Sequence, residues 1–217
     1  MSVEERFEKI ISYFVENQTE AKTELQFQTP FQLLVAVILS AQCTDKRVNL
    51  ITQNLFSQFF DAESFAKATA NQIFELIKSC SYPNNKAKYL VAMSKMLVEK
   101  FDGKIPDSLE KLRELPGVGQ KTANVILSSL FNKPVMPVDT HVFRVSERLG
   151  LTTNSKSPLE TEKMLTKYIC EKYIAVAHHW LLLHGRYICV SRKPKCEVCG
   201  LKKFCRYFNA TASNTTE

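Results

Sequence analysis

The chain has 217 residues, 45% of them hydrophobic and 24% charged, and a formal net charge of +7. These proportions exclude disorder, collagen and fibre, and a chain this long buries about 70% of its unfolded surface without disulfide staples. No apolar run approaches the roughly 20 residues of a membrane span, and Met1–Ile10 mixes charges of both signs where a secretory signal would be apolar.

The elements follow in chain order. Phe31–Ser40 is a continuous apolar run, which fits a buried helix or a core strand. Phe65–Lys78, Ala87–Phe101, Thr122–Phe131, Val142–Leu149 and Leu159–Tyr173 space their apolar residues three and four apart, as amphipathic helices do. Ser108–Glu114 is a shorter helical stretch, and Asp102-Gly103 reads as a helix stop. Pro30, Pro83, Pro106, Pro116, Pro137 and Pro158 fall between these segments, where proline costs little. Alternating strand patterns are scarce, so the fold class is all-α. The polar end, residues 209–217, reads as a disordered tail.

Charge and cysteine are unevenly spread. Between His184 and Phe208 lie seven basic residues and a single acid, Glu197. A basic segment of this kind suits a polyanion partner. Of the seven cysteines, Cys43, Cys80 and Cys170 are scattered, whereas Cys189, Cys196, Cys199 and Cys205 crowd together. The odd number and the absence of a secretion signal argue against a disulfide framework. Four thiolates at this spacing form a metal site, of either tetrahedral zinc or an iron–sulfur cluster. Zinc ribbons present two Cys-x-x-Cys knuckles, and this segment has one.

Leu115-Pro116-Gly117-Val118-Gly119-Gln120-Lys121-Thr122-Ala123 joins two helical stretches through a tight turn. Such a turn exposes backbone N–H groups at a helix N-terminus, where the dipole favours a phosphate oxygen. Val118 is placed to plug the core between the helices. Lys121 sits at the positive end of the helix dipole, which disfavours its protonated form, and partial burial would act the same way. A neutral amine there can attack a sugar C1′; a surface lysine there simply touches phosphate. Asp139 immediately precedes a helical segment and suits a helix N-cap.

These strings carry a resemblance. The hairpin, with Pro137-Val138-Asp139-Thr140-His141, Ser40-Ala41-Gln42-Cys43-Thr44-Asp45, His178-His179-Trp180-Leu181-Leu182-Leu183-His184-Gly185-Arg186 and the cysteine tetrad, resembles the endonuclease III family of helix-hairpin-helix DNA glycosylases. The resemblance covers all but about the last ten residues. It implies a [4Fe–4S] cluster on the four cysteines, and because the loop has few apolar residues the role of the cluster reads as structural, tying that loop. It implies two lobes: residues 23–136 with the hairpin, and residues 1–22 with 137–208 holding the cluster, the substrate cleft lying between them. It implies Lys121 as the Schiff-base nucleophile and Asp139 as the carboxylate that stabilises positive charge on the sugar. Gly117, Val118, Gly119 and Thr122 would serve the phosphate backbone, and His141 the pocket or a phosphate. Gln42 would be one residue filling the gap left by a flipped base. The second wedge departs from the pattern: relatives commonly read Gly-Leu-Tyr-Asn where this chain reads Ser81-Tyr82-Pro83-Asn84, so Tyr82 replaces an aliphatic wedge. Trp180 reads as core.

The implied activity is that of a bifunctional DNA glycosylase/AP lyase on duplex DNA carrying oxidised pyrimidines or abasic sites. A monomer in a bacterial-type cytoplasm suffices for it. The rivals are a monofunctional glycosylase, against which Lys121 argues, and a metal-stabilised DNA-binding module without catalysis.

Overall fold

The computed structural model describes residues 1–213, and among them every regular element is helical. The helices are α1 (Val3–Asn17), α2 (Pro30–Ser40), α3 (Asp45–Gln58), α4 (Ala62–Lys67), α5 (Ala70–Ile77), α6 (Pro83–Phe101), α7 (Leu109–Glu114), α8 (Gln120–Phe131), α9 (Thr140–Leu149), α10 (Pro158–Tyr168), α11 (Glu171–Tyr187) and α12 (Arg206–Ser213). Two 3₁₀ turns, Cys196–Val198 and Lys202–Phe204, precede α12. No helix among the described residues is long and apolar enough to cross a membrane.

The chain divides into two compact units. One spans Glu24–Phe131; the other joins Met1–Thr23 to the chain from Asn132 onward. The sequence put the second boundary at 136/137. Asn132–Met136 belong with the later chain, and Met136 is fully buried in that unit's core, in the cluster that also holds Phe7, Val142 and Leu181.

In the Glu24–Phe131 unit, α2 is the central element. Thr29 caps it through its hydroxyl, Pro30 fills the first position where no N–H is needed, and Phe31–Leu39 are all buried. A helix apolar all round requires neighbours on several sides, and α3, α6 and α8 supply them. This resolves the run as a helix rather than a strand. The expected single helix over 65–78 is two, α4 and α5. Ala68 turns extended, and Thr69 starts α5 with a capping box to Gln72.

In the other unit, Phe7, Ile10 and Phe14 form the buried stripe of α1, and Trp180 on α11 stacks on Phe14 at 5.7 Å. Trp180 is 3% exposed and its indole N–H donates to the Gln18 carbonyl at 2.8 Å, as a core tryptophan requires. The expected helix over 159–173 likewise divides, at Ile169–Cys170, into α10 and α11. α9 packs on α11 at close range: a Cβ on Gly185 would lie 2.9 Å from His141 Cβ and from Val145 Cγ2. The expected tail is helical over Asn209–Ser213, in continuation of Arg206–Phe208, with Phe208 packed against the core. Residues 214–217 of that tail lie outside the described residues.

Candidate active site

The hairpin is built by α7, α8 and the turn between them. Ser108 caps α7 by accepting the Lys111 N–H. The Val118 N–H then donates to the Leu115 carbonyl at 3.0 Å, and the Val118 side chain is 6% exposed, the plug expected from the sequence. With its side chain in the core and its N–H donated inside the turn, Val118 fixes the shape of the hairpin. Gly117 has φ +81° and lies so close to α6 that a Cβ would sit 2.9 Å from Tyr89 Cβ. Gly119 differs: a Cβ there would meet nothing within 4 Å, so its backbone faces open space.

The α8 ladder begins with the Ala123 N–H donating to the Gly119 carbonyl at 2.9 Å. The N–H groups of Gln120, Lys121 and Thr122 precede any acceptor one turn back, and the cap residue, Gly119, has no side chain to serve them. Lys121 is exposed on this first turn, and Thr122 is half-buried. The partial burial expected of Lys121 is therefore not present; the turn that aims it outward also keeps it in solvent.

Asp139 belongs to the other unit and is the N-cap of α9. Its Oδ1 accepts the N–H groups of His141 and Val142, both at 2.8 Å. Its Oδ2 lies 3.1 Å from His141 Nδ1. The Asp139 side chain is 13% exposed and that of His141 32%. The cap geometry accounts for why an aspartate stands here, and leaves the carboxylate at a helix N-terminus beside a half-exposed imidazole. Arg144, one turn on, braces the end of α11 and the loop after it: its Nη2 donates to the carbonyls of Gly185 and Cys189.

Gln42 and Tyr82 come together within the Glu24–Phe131 unit. Both are exposed, and both hold a left-handed backbone, with φ 56° and 53°. Tyr82 is 63% exposed, directly ahead of Pro83 at the first position of α6. The Ser81 hydroxyl donates to the Gln42 carbonyl at 2.7 Å. Behind them lies a residue the sequence reading passed over. Lys86 is 6% exposed, and its Nζ reaches the carbonyls of Leu39 and Ala41 at 2.8 and 2.6 Å. The available signal was periodic: Lys86 is in register with Leu90, Met93 and Leu97, on the buried stripe of α6. The thiol of the neighbouring Cys80 is pushed up by its burial, with Lys86 opposing the shift.

The four clustered cysteines lie within electrostatic reach of one another. Burial pushes up the thiols of Cys196, Cys199 and Cys205, and the charges of the others add to it: Cys189 on Cys196; Cys205, Cys189 and Cys196 on Cys199; Cys189 and Cys196 on Cys205. A bound cation reverses this, because coordinated thiols are held deprotonated and their repulsion is neutralised. The donor set thus fits a metal or cluster centre, although among the described residues no three His, Cys, Asp or Glu side chains are close enough to share one ion. Two arginines brace the loop: Arg144 as above, and Arg148 through the Val190 and Ser191 carbonyls at 2.8 and 2.9 Å. Arg148 Nη1 also lies 3.5 Å from Cys189 Sγ, and His184 Nε2 3.7 Å from Cys199 Sγ. Burial holds His184 and His179 down to about 4, so both imidazoles are neutral near pH 7.

Residues 35–171 match the family model described as "HhH-GPD superfamily base excision DNA repair protein". The chain is 46% identical over 202 residues to the endonuclease III of Rickettsia felis, covering 93% of this chain and 94% of that one. It is 38% identical over 199 residues to the endonuclease III of Escherichia coli, covering 92% and 94%. Among solved structures, a trapped endonuclease III–DNA covalent intermediate superposes with a TM-score of 0.90 at 36% identity, covering 98% of this chain and all of that one. A thermostable thymine-DNA glycosylase, at 22% identity and a TM-score of 0.83, shares the fold. With more than half of its length inside the family model and such relatives along nearly all of it, the chain belongs to the endonuclease III family of the HhH-GPD superfamily.

Proposed function

We propose that the chain is a bifunctional DNA glycosylase/AP lyase of base excision repair, removing oxidised pyrimidines from duplex DNA and cutting 3′ to the resulting abasic site. The observation that carries this reading is Lys121. An amine stands exposed on the first turn of α8, beside N–H groups that no helix residue or cap side chain accepts. Those N–H groups and the open face of Gly119 suit a phosphate oxygen, which would bring the sugar of the same nucleotide within reach of the amine.

The chemistry then runs as follows. The nitrogen lone pair of Lys121 attacks C1′, the glycosidic bond breaks, and the base leaves with the bonding pair and takes up a proton from that nitrogen. The ring then opens: O4′ leaves C1′ with the bonding pair and takes up a proton, and the nitrogen, which keeps its one remaining proton, becomes a protonated imine. Loss of a C2′ proton expels the 3′ phosphate by β-elimination and cuts the strand, and water hydrolyses the imine to free the amine. Asp139 stabilises the positive charge that develops on the sugar and assists proton transfer, by the logic of carboxylates in sugar hydrolases. His141 steadies that carboxylate through the 3.1 Å contact to Oδ2. Gln42 and Tyr82 fill the space left by the flipped base, and the Tyr82 ring stacks on a neighbouring base, a contact worth about 1–3 kcal/mol.

Cys189, Cys196, Cys199 and Cys205 hold a [4Fe–4S] cluster. When bound it supplies no step of base removal; it staples a loop poor in apolar residues and keeps Arg192, Lys193, Lys195, Lys202 and Lys203 near the DNA backbone. The protein works as a monomer, which suffices for this chemistry, on chromosomal DNA in the cytoplasm; its bacterial relatives support the compartment.

The test is product analysis on a duplex with one thymine glycol. Equal yields of free base and of strand cut 3′ to the lesion support the proposal. Free base with an intact abasic strand would mark a monofunctional glycosylase, and binding without either product a non-catalytic module.

A further inference from the structure

We propose that Lys86 and Ser81 form a positioning bracket that locks the Gln42 loop and the Tyr82 loop into one rigid wedge. The inference rests on the reading of Gln42 and Tyr82 as the residues that enter the duplex.

The bracket is an unbroken set of hydrogen bonds. Lys86 rises from the first turn of α6, and its Nζ donates to the Leu39 and Ala41 carbonyls at 2.8 and 2.6 Å. These lie at the C-terminal end of α2, where the helix dipole is negative and the last carbonyls lack intrahelical donors. The same nitrogen lies 3.3 Å from Cys80 Sγ and 3.3 Å from Ser81 Oγ, in the other loop. Ser81 Oγ passes the link on, donating to the Gln42 carbonyl at 2.7 Å, with the Ala41 carbonyl at 3.2 Å. The Cys80 thiol closes the set at the Leu39 carbonyl, 3.3 Å away.

Two features say that this arrangement specifies geometry and does not merely fill space. An apolar side chain would pack the same stripe of α6 without burying an amine, so a lysine here is used for its donors. And both tips that the bracket joins, Gln42 and Tyr82, are non-glycine residues in the left-handed region. That conformation persists where surrounding contacts over-determine it. The bracket supplies those contacts from the buried side and leaves both side chains outward. Two loops ordered before DNA arrives pay less entropy when they enter the duplex together.

The experiment compares single-turnover base release from a duplex thymine glycol with borohydride trapping on an abasic site in single-stranded DNA. The first needs a base pair opened and the second does not. Lys86→Met and Ser81→Ala are assayed beside Gln42→Ala and Tyr82→Ala. Expected is a loss of roughly tenfold or more in duplex base release for all four, with single-strand trapping within about threefold of wild type. Gln42→Ala added to Ser81→Ala should lose little beyond Ser81→Ala alone, because both act through one unit. If Gln42→Ala and Tyr82→Ala leave duplex release unchanged, the wedge reading fails and the bracket with it. If those two lose activity while Lys86→Met and Ser81→Ala do not, the bracket alone is overturned. Equal loss on both substrates in the bracket variants would reduce Lys86 to a stabilising residue and also overturn it. Should Lys86→Met fail to fold, Ser81→Ala, which leaves the buried amine its main-chain acceptors, decides.

Discussion

Asp139 and His141 share one carboxylate between cap and ring: Oδ1 accepts the His141 N–H at 2.8 Å while Oδ2 faces His141 Nδ1 at 3.1 Å. Asparagine keeps an oxygen for the cap but removes the charge. Asp139→Asn is therefore expected to fold within about 0.5 kcal/mol of wild type and to lose base release by roughly 100-fold or more. Asp139→Ala should lose the activity and a further ~1–2 kcal/mol of stability. Urea melts and single-turnover assays separate the roles, and undiminished turnover in Asp139→Asn would leave the residue only its cap.

The two hairpin glycines should respond oppositely. Gly117→Ala forces a left-handed alanine against Tyr89, with an expected cost of about 2–4 kcal/mol. Gly119→Ala meets no neighbour and should leave stability within about 0.5 kcal/mol. If Gly119 faces a phosphate, the same change weakens DNA binding by roughly tenfold. Unaltered affinity in Gly119→Ala would remove the phosphate from this face.

Iron and inorganic sulfide should be found at about four each per chain, bound through thiolates. Cys205→Ser is expected to lose both and to lower the melting temperature by about 5–10 °C, because cluster binding is coupled to folding of the loop. Zinc without sulfide would contradict the cluster.

His179 gives a pH signature. Burial holds it down to about 4 in the fold, against about 6.5 in the unfolded chain. Above pH 6.5 it is neutral in both states and stability is full. As the pH falls below that, the unfolded chain takes up a proton the fold refuses, and stability declines until about pH 4, by on the order of 3 kcal/mol. His184 is held down in the same way and carries a like share, so His179→Leu should remove about half of the combined decline in urea melts; an unchanged slope would mean that this imidazole is not what senses the acid.

Much of this site could be read before any coordinates, for local reasons. Asp139 precedes a periodic stretch, which is what a cap looks like in sequence, and α9 begins at the next residue. The cysteine spacing is also local. What escaped reading depends on tertiary context. The apolar period runs through Ala68–Thr69 and through Ile169–Cys170, so the breaks there are set by a capping box and by extended backbone that periodicity does not register. α3 carries a weaker stripe, with Val48, Ile51, Thr52 and Leu55 buried, and went unassigned. Lys86 looks like a solvent lysine until the carbonyls of a helix 45 residues earlier are brought to it. Lys121 was placed correctly on its helix, but its exposure depends on how the turn aims the first residues of α8, which no composition rule fixes.

The central claim is an imine at Lys121, and borohydride trapping tests it most directly. Wild type and Lys121→Gln are incubated with duplex DNA carrying thymine glycol or an abasic site, reduced, and resolved on a denaturing gel. A covalent adduct on both substrates that disappears in Lys121→Gln, with DNA affinity kept within about threefold, is the predicted result. An adduct that persists in Lys121→Gln, or none in a wild type that binds DNA and carries its full complement of iron, would contradict it.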